Sequence, residues 1–240
     1  MANLETHVLK ERSPSFISTS HEFAGAFSRI LGGGIGKSQW VARGGMNSNF
    51  YFDFDRVYSV NGLNNSDLSN VHSFILGKLN EIVSNTGANY VGFVSPKYGP
   101  VGIVQLRSII AEKLPVPSII IHVNERLLRK QIWFERSNDS TSILTAKSKV
   151  LLFADAATSG GSLYKAATIV RKFNAYCEDA VVLFDRMQGA SERLGSKKIT
   201  LYSFVDKNFF INTGKLDNKD TEIDRTAPRL EFESLAATVA

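Results

Sequence analysis

Hydrophobic and polar positions divide this chain into segments of two periods. Residues before about 20 follow neither, and with Pro14 and several serines they predict a loose arm or a short packed helix. Phe23, Ala26, Phe27 and Ile30 then repeat at helical spacing and predict a short amphipathic helix, stopped by Gly32-Gly33-Gly34. Two β-rich runs flanking Gly44-Gly45, between Trp40 and Arg56, predict a hairpin. Leu68, Val71, Phe74, Ile75, Leu79, Ile82 and Val83 mark a long helix closed by Gly87, with His72 off the apolar stripe and expected in solvent. Short apolar runs at 90–94, 117–121, 150–153 and 180–184 read as strands buried on both faces, and 199–205 as a final strand. Helical patterns at 101–113 and from Leu163 to Phe173 separate them. From Asn212 onward the chain is rich in Asp, Lys and Thr without a core period, which predicts a polar tail.

Strands that alternate with helices from Leu68 to Val205 predict an α/β domain: a parallel sheet covered on both faces, with ligands bound at the carboxyl ends of its strands. The length of 240 residues, with 43% hydrophobic, suits one sizeable core. A single cysteine, Cys177, excludes an internal disulfide and a thiolate zinc site, and fits a reducing cytoplasm. No apolar run approaches a membrane span, and Met1 to Arg12 lacks a secretion-signal core. The net charge of +5 favours anionic ligands. Basic residues are scattered and form no nucleic-acid module, so a polyphosphate small molecule explains the sign of the charge without DNA or RNA. His7, His21, His72 and His122 lack metal-ligand spacing.

The candidate chemistry lies where the strand at 150–153 meets its helix. Asp155-Ala156-Ala157-Thr158-Ser159-Gly160-Gly161-Ser162 is a turn of small hydroxyl residues and glycines opening a helix. Such a turn turns backbone N–H groups and the positive end of a helix dipole onto one anion, and its natural guest is a phosphate monoester. Gly32 to Ser38 ends in Gly-Lys-Ser like a nucleotide-binding P-loop, but it follows a helical pattern and leads into a strand, the wrong context for that loop.

The sequence from Val150 to Ser162 resembles the signature of the phosphoribosyltransferases, which bind phosphoribosyl pyrophosphate (PRPP). Other segments narrow the resemblance to orotate phosphoribosyltransferase over about residues 23 to 210: the hairpin with Arg43, Phe50 and Tyr51, the pair Arg129-Lys130, and the run Asp185-Arg186-Met187-Gln188-Gly189. It implies the type I phosphoribosyltransferase fold, a parallel sheet flanked by helices with an N-terminal hood hairpin. The implied organisation is an arm over 1–22, a domain over 23–211 with a hood at about 23–60 and a core at about 66–211, and a tail over 212–240. The resemblance assigns Asp155, Ala156, Ala157, Thr158, Ser159, Gly160, Gly161, Ser162, Lys97 and Arg43 to PRPP, with Asp155, Arg129 and Lys130 as catalytic residues. It assigns Phe50, Tyr51 and Arg186 to the base, the arginine facing a carboxylate as a planar guanidinium suits. It also implies Mg²⁺ carried with PRPP, a pyrimidine such as orotate as acceptor, and a homodimer whose lid reaches the neighbouring site.

Residues 124–147 lose apolar periodicity, and a loop of that length reads as a lid that closes over charged substrate. Here the chain departs from the family: Trp133 and Glu135 stand at the family's lid lysine and histidine. Ala154 replaces the first acid of the PRPP motif, Met46 a turn arginine and Asn49 a proline. Those departures carry a second reading, a protein of this fold that binds PRPP or a nucleotide as a sensor without turnover.

Overall fold

The computed structural model describes residues 15–16, 35–41, 47–52, 65–95, 107–123, 134–136 and 144–212. The expected helix near 22–31 and the tail beyond 212 lie outside them. A seven-stranded sheet has the order β1-β9-β8-β7-β4-β5-β6. Its strands are β1 (Ser15–Phe16), β4 (Tyr90–Ser95), β5 (Ser118–His122), β6 (Phe134–Arg136), β7 (Lys149–Ala157), β8 (Tyr176–Asp185) and β9 (Thr200–Asp206). All pairings are parallel except that of β6 with β5. The expected hairpin is present as β2 (Ile35–Val41) paired antiparallel with β3 (Asn47–Phe52). Gly36-Lys37-Ser38 therefore lies inside a strand, which disposes of the P-loop comparison.

Each face of the large sheet buries its own apolar cluster, as the continuous apolar runs require. On one, Val71, Ile75, Leu79 and Ile82 of α1 (Asn65–Thr86) join Phe93, Leu151, Phe153, Val181, Leu183 and Phe204. The helix stops where Gly87 takes φ +68° and the Ala88 N–H donates back to the Val83 carbonyl at 3.2 Å. On the other face, Leu163, Ala166, Ala167 and Val170 of α2 (Gly161–Arg171) join Leu152, Ala154, Val182 and Ile121. Complete burial of a leucine or phenylalanine here is worth about 2 kcal/mol of transfer free energy. Two short helices follow, α3 (Ala190–Gly195) and α4 (Lys207–Asn212), with Leu194 buried on the α2 side and Phe210 on the α1 side.

Several elements depart from the sequence expectation. β6 is a strand inside the segment read as an uninterrupted lid loop; it forms by antiparallel pairing of Phe134, Glu135 and Arg136 with Ile121, Ile120 and Ile119. β1 adds two residues of the N-terminal arm to the β9 edge. Helix α4 begins within what reads as the end of the domain. His72 is half-buried rather than solvated: helical residues 107–111 pack beside α1, and His72 lines a cleft of about 260 Å³ with Ser69, Ser73, Ile109 and Lys113. Burial first, and the Lys113 charge second, hold its imidazole below the ordinary histidine range.

The strand order also locates a site. From β4 the chain moves outward to β5; it then returns to the other side of β4 as β7 and continues away through β8 and β9. The crevice between the carboxyl ends of β4 and β7 is therefore the topological switch point, where open α/β sheets bind ligands.

Candidate functional site

At that switch point β7 runs straight into the hydroxyl- and glycine-rich turn. Asp155, near the strand end, is half-buried, and its Oδ1 accepts the Ala156 N–H at 2.7 Å. The turn closes at Gly160, the N-cap of α2, whose φ of +68° lies in the left-handed region that favours glycine. A Cβ there would also come within 3.0 Å of Leu194 Cγ and 3.3 Å of the Ala190 carbonyl oxygen, so α3 sits directly against the turn. Helix α2 opens with no side-chain cap and no acid in its first turn. The positive end of its dipole is thus left for an anion from outside the helix.

The end of β8 locks onto this turn. Ala157 and Asp185 are register partners, and the Arg186 N–H donates to the Ala157 carbonyl at 2.9 Å. Arg186 is only 5% exposed, and its Nη1 donates to Thr158 Oγ1 at 3.4 Å. Burial brings the guanidinium pKa down to about 10, so it stays a cation at neutral pH. Asp185 holds the return of the chain: its Oδ1 accepts the Met187 N–H at 2.8 Å, and the Ser191 hydroxyl donates to Oδ2 at 3.4 Å. Burial raises the Asp185 carboxyl above the ordinary range; those two hydrogen bonds oppose the shift, and Asp206 and Glu192 reinforce it. The sequence run that contains Asp185 carried the resemblance but gave this acid no role of its own, although an acid two residues before Met187 and six before Ser191 is a recognisable turn-closing pattern.

The structure brings together Asp155, Ala156, Ala157, Thr158, Ser159, Gly160, Gly161, Ser162 and Arg186, all at the carboxyl ends of β7 and β8. Phe50 and Tyr51 belong to the separate hairpin, in register with Lys37 and Gly36. Arg43, Lys97, Arg129, Lys130, Met46 and Trp133 lie outside the described residues; Lys97 follows the end of β4 by two positions. Glu135 is in β6, opposite Ile120. Ala154 is buried in the apolar cluster on the α2 face. Among the described residues no group of three or more His, Cys, Asp or Glu side chains could cage a metal, and no helix is long and apolar enough to cross a membrane.

This sheet order, with a hydroxyl- and glycine-rich turn at its switch point, is the type I phosphoribosyltransferase fold. Within that class the chain is similar to the orotate phosphoribosyltransferases. No family model matches the chain. Orotate phosphoribosyltransferase of Cenarchaeum symbiosum is 29% identical over 185 residues, covering 75% of this chain and 84% of the relative. The crystal structure of orotate phosphoribosyltransferase from Aeropyrum pernix superposes with a TM-score of 0.58 at 21% identity, over 80% of this chain and 99% of that one. A Trypanosoma brucei adenine phosphoribosyltransferase, solved with AMP, pyrophosphate and ribose 5-phosphate, superposes at 0.55 with 12% identity, over 82% and 86% of the two chains. The fold is thus shared with an enzyme named for a purine, and it leaves the base undetermined.

Proposed function

We propose that this chain transfers the 5-phosphoribosyl group of PRPP to orotate or a related pyrimidine and releases pyrophosphate. The observation that carries this reading is the uncapped turn at the switch point, with Asp155 on its strand and the buried Arg186 cation against Thr158. In this reading the N–H and hydroxyl groups from Thr158 to Ser162 hold the 5-phosphate and Asp155 the ribose hydroxyls. Arg43, Lys97, Arg129 and Lys130 neutralise pyrophosphate; Phe50 and Tyr51 stack the base, and Arg186 faces its carboxylate. The bond from the ribose anomeric carbon to a pyrophosphate oxygen breaks as a ring nitrogen bonds to that carbon. Cationic character builds on the sugar, so positioning and charge neutralisation lower the barrier without a protein nucleophile.

In this reading Mg²⁺ arrives on the substrate, as an ion that takes one or two carboxylates plus phosphate oxygens. Asp155 is the carboxylate that would share it, and the ion would neutralise the departing pyrophosphate. A cytoplasmic homodimer with hood and lid elements completes the reading.

Incubation with PRPP, Mg²⁺ and orotate tests it: orotate absorbance falls and pyrophosphate appears in equal amount. Binding of PRPP with no consumption of orotate or any other pyrimidine would overturn the enzyme reading in favour of a PRPP-binding sensor.

A further inference from the structure

The turn has a neighbour with no part in the roles assigned so far. Arg193, on α3, is exposed, and a Cβ built on Gly161, the first residue of α2, would lie 3.7 Å from both Arg193 Nη1 and Ser159 Oγ. The guanidinium, that hydroxyl and the first N–H of α2 therefore border one small volume at the mouth of the turn. Among the described residues no ion pair or hydrogen bond engages the Arg193 guanidinium.

Two features of like sign meet here, the guanidinium and the uncapped amino end of α2, whose first turn carries no acid. Such an arrangement is repulsive when empty and becomes attractive with an anion between the two. The helix that carries the guanidinium is held in place at two points. Gly160 lets α3 sit close, since a Cβ there would crowd Leu194 Cγ at 3.0 Å, and Asp185 ties α3 to the end of β8 through Ser191. The short helix is fixed at both points, and Arg193 precedes its buried anchor Leu194.

We propose that Arg193 is a direct ligand of the sugar 5-phosphate, making α3 a second wall of the monoester site opposite the α2 amino end. This inference rests on the PRPP reading above and extends it to a residue outside the Val150–Ser162 motif. A monoester dianion suits the position, because a guanidinium offers paired N–H donors to two of its oxygens while the turn supplies backbone N–H groups to the others.

Calorimetric titration of the wild-type protein, Arg193→Ala and Arg193→Lys tests this with three probes: PRPP, ribose 5-phosphate and inorganic pyrophosphate. The alanine variant should lose about ten-fold or more in affinity for PRPP and for ribose 5-phosphate, the scale of one charge-assisted contact, and the lysine variant should recover part of it. Affinity for pyrophosphate, which carries no 5-phosphate, should stay at the wild-type value, and so should the melting temperature. Wild-type affinity of Arg193→Ala for ribose 5-phosphate would overturn the Arg193 assignment while the PRPP reading stands. An equal loss for all three probes would overturn it too, by reducing Arg193 to a general field. Failure of the wild-type protein to bind PRPP would remove the underlying reading itself.

Discussion

Asp185 is 7% exposed at the end of β8, with a pKa raised chiefly by burial, and its titration gives a stability signature. In the unfolded chain the carboxyl deprotonates near the ordinary value of about 3.9; in the fold it does so at a higher pH. Its contribution to stability is therefore fully present below the unfolded value and is lost as pH rises through the folded one, by about 1.4 kcal/mol for each unit of difference. Asparagine at this position keeps an acceptor for the Met187 N–H but does not titrate. Asp185→Asn should thus gain stability relative to wild type as pH is taken from about 4 to 7, read from denaturant midpoints. Parallel pH curves would mean that the carboxyl is not the titrating group. At this scale the sequence was readable where the chemistry is local: Asp155 and its turn are contiguous, and Arg186 stands out within its run. The contact between Arg186 and Thr158, 28 positions apart, was not readable, because it arises from the parallel register of β7 and β8. Cys177 illustrates the bland alternative. It is buried, desolvation pushes its thiol up to about 12, and it packs as a small apolar side chain.

Among the elements, those with long apolar runs were legible and the short ones were not. Strands β4, β5, β7 and β8 are buried on both faces and announce themselves by composition. Strands β1 and β6, at the two sheet edges, owe their existence to a neighbour's free backbone groups rather than to their own residues. Helix α4 did leave a signal, since Asp206 Oδ1 accepts the Phe209 N–H at 2.9 Å just where an N-cap belongs. The turn between β7 and α2 carries the sharpest expectation at this scale. Gly160→Ala meets a left-handed φ together with 3.0 and 3.3 Å approaches to Leu194 Cγ and the Ala190 carbonyl oxygen. Gly161→Ala meets only ordinary contacts of 3.7 Å. The first substitution should cost about 1–3 kcal/mol in chemical denaturation and weaken ribose 5-phosphate binding, by shifting both α3 and the turn. The second should cost less stability, about the 0.5 kcal/mol scale of an ordinary surface change. Equal costs would show that neither strain nor the seat of α3 governs the turn.

For the whole molecule, the alternation of patterns gave the α/β class, but no local pattern encodes the crossover that carries the chain from β5 back past β4 to β7. That crossover creates the switch point and gathers segments distant in sequence at one end of the sheet. It has a thermodynamic consequence. A ligand that binds only the folded chain adds RT ln(1 + [L]/Kd) to global stability, about 2.7 kcal/mol at one hundred times Kd. For a chain of this size that corresponds to a rise in melting temperature of roughly 5–10 °C. PRPP with Mg²⁺ should produce this rise, and ribose 5-phosphate should produce one of its own at a matched multiple of its Kd, because both would seat a monoester in the proposed site at the end of β7, which exists only in the folded chain. A melting temperature unmoved by saturating PRPP would therefore remove the monoester from the β7 turn, whatever ligand the rest of the chain retained.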